Sequence, residues 1–262
     1  MRNPVSRARL VRGLGAAAIA AGLAVAPATT AVAAPQAAAA AAYTPSAADF
    51  KDCPALPQGA AAWAWNCLAI VITGGEMKLG GLTQQVTKPI TIPVAVGVQD
   101  WKVVLATPPG GFQSPPLDVP AGNLPLPLPG VTATVAQAGE VKPGKLVIPD
   151  ELPIKIKVSS VLLSAGCAIG SEAAPIRLKP ALSNLSLGTV GGVAVIKTKI
   201  TDRTFAVPAA TDCGLLTPVL NPLLGLPSAA GKNSADLDTV IRVKSYAFGE
   251  TTTSFAGDNG IK

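Results

Sequence analysis

The sequence predicts a mostly β protein: an antiparallel β-sandwich of Ig-like or jelly-roll-like type, with Pro-rich connections and one or two short helical turns. Three observations predict this fold class. Apolar and polar residues alternate in many short segments, Gly and Pro turn signals separate those segments, and interior prolines disfavour any long helix from residue 89 to 180. About nine to twelve short strands joined in this way are typical of a sandwich or barrel.

The stretch 154–170 is the centre of this architecture. Residues 154–157 alternate isoleucine and lysine, which predicts a strand with one face in the core and one in water. The alternation stops over 158–163, which predicts that both faces are covered there. We therefore expect a central strand over 154–163 that ends near Cys167 and is tied to a distant loop by a disulfide.

Other strands follow from the same pattern. Residues 90–98 alternate strictly, and Pro93 inside them removes one ladder donor, which favours an edge strand or a bulge. Thr217 followed by Pro218 predicts the start of a helix of at most two turns, and Thr44 followed by Pro45 predicts a shorter turn. Further strands are predicted over 68–73, 101–105, 131–136, 145–148, 176–179, 193–200 and 240–248.

The beginning of the chain has the pattern of a secretory signal peptide. Residues 1–12 carry four arginines and no acid, residues 13–26 are uncharged and apolar, and Ala31-Val32-Ala33 offers a cleavage site. The apolar run is shorter than the roughly 20 residues of a membrane-spanning helix. We expect a signal peptide over 1–33, a disordered Ala-rich lead-in over 34–42 and a β-sandwich domain over 43–262.

Charge gives no argument for nucleic acid as a partner. Removing the four arginines of the signal peptide leaves 17 basic residues against 15 acids, a net charge of +2 instead of +6. We expect no nucleic-acid partner, no cofactor and no transmembrane anchor after signal removal. The predicted location is the medium or the cell wall, with wall or envelope components as candidate partners.

Residues 108–130 contain eight prolines, which favours an extended connection. A ligand for a proline-recognition module is the functional interpretation. A long connection whose leucines lie over the sheet is the structural one, and it is favoured because such modules act mainly inside eukaryotic cells. A sub-boundary of the domain could also fall here.

Four cysteines in an exported chain indicate two disulfides, with three connectivities to choose from. Cys53 and Cys67 bracket a short loop that closes easily. Zinc binding is disfavoured, because the chain has no C-x-x-C spacing and no histidine.

Chemistry is hard to find in this sequence. The absence of histidine removes Ser-His-Asp and Cys-His nucleophile systems. Two pairs of acids, Asp150 with Glu151 and Asp236 with Asp238, could serve glycoside hydrolysis but are expected in exposed turns. Residues 257–260 resemble part of a calcium loop but are better explained by a tight turn.

Trp63 and Trp65 are the candidate ligand contacts. At i and i+2 in an extended segment they would share a face and could stack on a sugar. Beside a disulfide they could equally cover it as part of the core, and this interpretation is favoured. A concave site containing both rings would indicate a binding module, and burial of both a structural role.

Three segments resemble a group of secreted actinobacterial proteins of unknown function. They are Cys167-Ala168-Ile169-Gly170-Ser171 with its continuation to Leu178, residues 205–214, and residues 224–233. The resemblance covers roughly residues 150–240 and implies no activity. It does support pairing Cys167 with Cys213, which leaves Cys53 paired with Cys67.

The sequence thus predicts a secreted, non-enzymatic, disulfide-stabilised β-domain at the cell surface or in the medium. The alternative is an extracellular binding module for a polysaccharide or an apolar ligand, since the Leu/Pro-rich segment 108–130 could line a groove.

Overall fold

A computed structural model describes residues 42–120, 128–144 and 149–262. The predicted signal peptide, residues 34–41 of the lead-in, the middle of the Pro-rich segment and the predicted strand over 145–148 lie outside the described residues. The strands are β1 Trp65–Leu79, β2 Leu82–Gln85, β3 Ile90–Gln99, β4 Lys102–Ala106, β5 Leu117–Asp118, β6 Thr132–Gln137, β7 Lys142–Pro143, β8 Pro149–Ser159, β9 Ala168–Ile169, β10 Ile176–Leu178, β11 Ala181–Val190, β12 Val193–Asp202, β13 Ala210–Thr211, β14 Ser234–Ser245 and β15 Gly249–Glu250. Two short α-helices, α1 Thr217–Leu224 and α2 Thr252–Asp258, complete the fold with short 3-10 turns.

The strands form two antiparallel sheets. The first has the order β11-β12-β14-β1-β3-β4, with β2 also on β1 and β15 also on β14. The second has the order β13-β9-β8-β6-β5, with β7 and β10 also on β8. The predicted mostly β fold is confirmed, and the arrangement is that of a β-sandwich.

The core lies between the two sheets and consists mainly of Val, Ile and Leu. Ile70 and Ile92 of the first sheet and Ile154 and Ile156 of the second belong to one buried cluster. The other face of β1 is also covered, because a segment around Phe50 packs on it. This double burial explains why residues 68–72 read as a continuous apolar run.

The stretch 154–170 is partly as predicted. Its alternating half lies in β8, next to β6 and β9, with Ile154 and Ile156 buried. The prediction for 160–163 was wrong: β8 ends at Ser159, the chain turns, and Val161 is 85% exposed. Loss of alternation here marks a turn instead of a strand covered on both faces.

Pro93 lies where the strand rule allows it. β3 pairs with β1 along nearly its whole length, but β4 covers only residues 95–99 of it. β3 is thus neither the edge strand nor the bulged strand that was predicted, but Pro93 lies in the part of it that has no partner on the β4 side.

The helices show one success and one failure. α1 begins at Thr217 and ends at Leu224, and the φ of 62° at the following Gly225 is the left-handed conformation that glycine favours at a helix end. The failure is α2, which was not predicted and whose last residues are 257 and 258. The predicted tight turn over 257–260 is present at its end, where the Gly260 N–H donates to the Gly257 carbonyl oxygen at 3.0 Å. Ala256 of this helix is fully buried, so tertiary packing stabilises a helix that the local sequence pattern does not predict.

Candidate functional site

Both disulfides join the cysteines that were expected to pair. The Cys53–Cys67 bond ties the segment before β1 to β1 itself, with a Cα–Cα distance of 5.9 Å. The Cys167–Cys213 bond has a Cα–Cα distance of 4.1 Å and lies beside the paired strands β9 and β13. The bond joins the residue before β9 to the loop after β13, 46 positions further along the chain, so the partner is a distant loop as predicted. Cys167, however, lies beyond the end of β8 and not in the central strand.

Trp63 and Trp65 do not form a pair. Residues 62–64 form a 3-10 turn, so the extended geometry that would place both rings on one face is missing. Trp63 is 72% exposed, whereas Trp65 is completely buried. The two rings are therefore not brought together as one sugar-stacking platform.

Trp65 is a structural residue. It lies opposite Gly97 in the β1–β3 ladder, and a Cβ at Gly97 would be 2.2 Å from Cδ2 of the indole. Glycine is thus required where the ring lies over the neighbouring strand. The indole Nε1–H is buried without an acceptor among the described residues.

Two adjoining cavities lie between the sheets. Each has a volume of about 70 Å³, and Met77, Val86, Ile90 and Val135 line both. Because the linings share these four side chains, the two cavities are neighbours inside the sandwich, with these side chains between them. Well-packed interiors contain few voids larger than a water molecule, so this space is unusual.

The first cavity is bounded by two features that the sequence singled out. Leu117 and Leu128, from the described parts of the Pro-rich segment, are buried and line it. Cys167 and Cys213 form another part of its wall. Among the described residues of the Pro-rich segment, Leu117 and Leu128 therefore lie over the core, in agreement with the structural interpretation.

Gln84 provides the polar group of the first cavity. Its amide Nε2–H donates to the carbonyl oxygens of Gln85 at 2.8 Å and Asp118 at 3.3 Å, which fixes the orientation of the amide. Oε1 is buried and has no hydrogen-bond partner among the described residues. Oε1 adds no exposed surface to the cavity, so a ligand in this apolar chamber would reach the lone acceptor only after a shift of the Gln84 side chain.

The second cavity has one carboxylate in its lining, but that group is satisfied. Asp202 accepts hydrogen bonds from the backbone N–H of Lys179 at 2.6 Å and from the backbone N–H and the hydroxyl of Thr204 at 2.7 and 2.8 Å. Asp202 therefore orders the chain around β12 and offers little to a ligand.

Sequence reasoning missed Gln84, although a signal was present. Leu82, Gln84 and Val86 are all buried, and they are spaced two residues apart. Side chains spaced two apart share one face of a strand. A glutamine between two buried aliphatic residues on such a face is a candidate for a buried polar contact.

The densest polar cluster surrounds Arg242 on the outer face of the first sheet. The alternation in β14 predicts an exposed arginine there, but Arg242 is only 5% exposed because residues 43–50 fold over it. Its guanidinium donates to both carboxylate oxygens of Glu250, at 3.1 and 2.7 Å, and to Asp49 Oδ2 and Ser46 O, each at 2.6 Å. It also lies 4.9 Å from the centroid of the Phe50 ring.

Two pKa shifts follow from this cluster. Burial acts to lower the pKa of Arg242, but hydrogen bonds to Glu250 and Asp49 outweigh it and raise the pKa. Burial and a 2.8 Å hydrogen bond to Asp49 raise the pKa of Tyr43 above its ordinary value. Both groups keep their protons, so the cluster is suited to holding the chain together and not to proton transfer.

The predicted acid pairs are in strands, and the expectation of exposed turns was wrong. Glu151 in β8 accepts a hydrogen bond from Arg177 at 2.5 Å, and that bond, with nearby Lys142, lowers its pKa. Its neighbour Asp150 is exposed.

Asp236 and Asp238 lie in β14, where Asp236 pairs with Arg203 at 3.0 Å and Asp238 with Lys199 at 3.9 Å. The two aspartates alternate with apolar residues, which is a strand pattern, and β14 holds their side chains on one face. Each of the two carboxylates thus has a cationic partner.

Comparisons with protein-family models, curated proteins and solved structures found no match. Within the described residues there is no group of three or more Cys, Asp or Glu side chains that could hold a metal ion. The same part of the chain contains no helix long and apolar enough to span a membrane. A function therefore has to be argued from the cavities, clusters and surfaces of this chain.

Proposed function

We propose that this protein is an exported, non-enzymatic β-domain that holds a slender apolar ligand between its two sheets. The observation that carries the proposal is the pair of adjoining apolar cavities with the free acceptor of Gln84 at one of them. Export is supported by the signal-peptide pattern of residues 1–33, by the two disulfides and by the resemblance to secreted actinobacterial proteins.

Energetics support a ligand in this space. Unfilled core volume destabilises a protein by about 24 cal/mol per Å³, so each cavity of 70 Å³ costs about 1.7 kcal/mol. Larger side chains at Val86 or Ala133 would remove much of that cost. A core that keeps the space is better explained by a ligand that fills it.

The shape and chemistry of the space restrict the ligand. Each cavity is too small for a bulky ring system, but an unbranched hydrocarbon chain that shifts the side chains between them would fit a narrow path through both. One hydroxyl or protonated carboxyl group could donate to Gln84 Oε1. Acyl chains and long alcohols of this kind meet both requirements.

The absence of turnover is part of the proposal. The chain has no histidine, and the candidate acids Glu151, Asp236 and Asp238 are each paired with a cationic side chain. None of them lines either cavity. A hydrolase and esterase panel on the purified protein should therefore show no turnover that depends on these carboxylates.

Displacement of a lipophilic fluorophore tests the ligand site. The exported protein should enhance the fluorescence of trans-parinaric acid, a slender polyene fatty acid, and 1-octanol should displace the probe better than methyl octyl ether, which lacks the donor. Gln84→Leu should remove this preference, which is worth roughly tenfold in affinity at most for one hydrogen bond. Val86→Phe, placed between the two cavities, should abolish probe binding.

Fold integrity is checked by thermal unfolding and circular dichroism of each variant. No probe binding by the wild-type protein would contradict the proposal. So would unchanged probe binding in a folded Val86→Phe variant.

A further inference from the structure

Three exposed aromatic side chains lie at one end of the first sheet. β1 is antiparallel to both β14 and β3, and β3 is antiparallel to β4, so the start of β1 lies beside the ends of β14 and β3. Trp63 precedes β1, Trp101 is in the β3–β4 turn, and Phe248 is in the β14–β15 turn. They are 72%, 99% and 75% exposed. We call these three residues the aromatic end.

Two half-exposed valines lie near the aromatic end. Val98 and Val103 are cross-strand partners just below the Trp101 turn, and about half of each is exposed. Neighbouring strands are about 4.8 Å apart, so the four strands that carry these side chains span roughly 15 Å. Three large aromatic side chains expose on the order of 500 Å², which is as large as the largest apolar patch of an ordinary monomer.

Trp101 has a strained backbone conformation, and its exposed side chain makes no packing contacts with the described residues that would offset the strain. Asp100 and Trp101 form a two-residue turn with φ values of 50° and 62°. Asn and Gly are the residues that favour this left-handed turn, and a bulky side chain there is an outlier. Strain at a fully exposed aromatic residue is a feature expected at a contact surface.

We propose that the aromatic end docks onto the surface of a lipid bilayer. Indole rings combine an apolar body with one N–H donor and favour the headgroup level of a membrane. Val98 and Val103 add aliphatic surface, which suits acyl chains better than sugar rings. Exposed Lys102, which follows Trp101 and forms no ion pair within the described residues, could face anionic headgroups.

The size of the patch also argues against a second copy of the chain as its partner. A stable protein interface buries about 800 Å² on each side, which exceeds the area available here. A bilayer needs no matching surface, so a few protruding rings are enough for reversible binding.

Vesicle binding tests the proposal. The exported protein, with its mass verified so that residues 1–33 are absent, is mixed with vesicles of phosphatidylglycerol and phosphatidylcholine that carry brominated acyl chains. We expect co-flotation with the vesicles and quenching of tryptophan fluorescence. Trp101→Gly should reduce the partition coefficient at least about tenfold, because it removes a large exposed apolar side chain.

This variant separates docking from folding. Glycine suits the turn better than tryptophan, so Trp101→Gly should be as stable as the wild-type protein or more so. The matched control is Leu215→Ala, because Leu215 is 95% exposed but lies next to α1, which contacts the opposite end of β1 through a Gly81–Leu224 hydrogen bond. The control should bind vesicles like the wild-type protein.

Three other outcomes would overturn the proposal. The first is no vesicle binding, or vesicle binding that Trp101→Gly leaves unchanged. The second is sedimentation with an insoluble polysaccharide, lost in Trp101→Gly, without vesicle binding. The third is a wild-type dimer in light scattering that Trp101→Gly converts to a monomer.

Discussion

Replacing Arg242 with methionine tests the buried ion-pair cluster most directly. Methionine keeps much of the aliphatic length but removes all four hydrogen bonds of the guanidinium. The side chain of Asp49 is only 10% exposed, so it would be left with a buried charge and no cation. Breaking a buried pair in this way costs about 3–5 kcal/mol.

The structure also indicates where the damage should appear. Ser46, Asp49 and Phe50 contact Arg242, while the Cys53–Cys67 bond anchors the end of the same segment. Residues 43–50 should therefore lose hydrogen-exchange protection before the sheets do. In a domain of this size, 3–5 kcal/mol corresponds to a fall in Tm of roughly 6–20 °C.

Urea unfolding with matched controls measures the effect. Arg203→Met removes the 3.0 Å pair with Asp236, in which the arginine side chain is 68% exposed, and should cost less than about 1 kcal/mol. Glu250→Gln should fall between the two, because Arg242 would keep Asp49. If Arg242→Met lowers the free energy of unfolding no more than Arg203→Met does, the hydrogen bonds of Arg242 do not stabilise the fold as a buried cluster.

Three further predictions concern packing and pH. Val86→Ile should raise the free energy of unfolding by up to about 1 kcal/mol, because the added methyl group enters cavity space. Val71 lies in a packed cluster outside both cavities, so Val71→Ile should not raise it. Equal effects of the two substitutions in urea unfolding would contradict this. Burial raises the pKa of Tyr246 to about 12, so the unfolded chain loses this proton at a lower pH than the folded protein does. The free energy of unfolding should therefore fall between pH 10 and about 12, and it should fall less over this range in Tyr246→Phe. The hydrogen bond from Arg177 lowers the pKa of Glu151, so its contribution should be present at neutral pH and lost as the pH falls below about 4; a Glu151→Gln variant with the same acid profile as the wild-type protein would refute this.

Local patterns were enough to predict what depends on one segment at a time. Alternation over 90–98 and 154–157 marked strands β3 and β8, because a half-buried strand must alternate. Thr217, Pro218 and Gly225 bounded helix α1, because helix ends need particular backbone conformations. The Cys167–Cys213 pairing was predicted from the resemblance to secreted actinobacterial proteins and the Cys53–Cys67 pairing from the short loop between them, and both agree with the structure.

Features that depend on a partner in space were decided only by the tertiary structure. Arg242 sits in an alternating strand, yet it is buried because residues 43–50, about 190 positions away in sequence, fold over it. Trp63 and Trp65 are two residues apart, yet one is exposed and the other lies over Gly97 of the next strand.

The candidate sites have the same origin. A strand pattern predicts which face of its sheet a side chain lies on, but not which residues of another segment pack against it. A cavity is the space left where two such faces do not fill the core between them. The sequence by itself determined the sandwich class, strands such as β3 and β8, and helix α1, because backbone geometry and the apolar pattern are local. The tertiary structure alone decided the cavities beside Gln84 and the aromatic end, because both arise where segments distant in the chain meet.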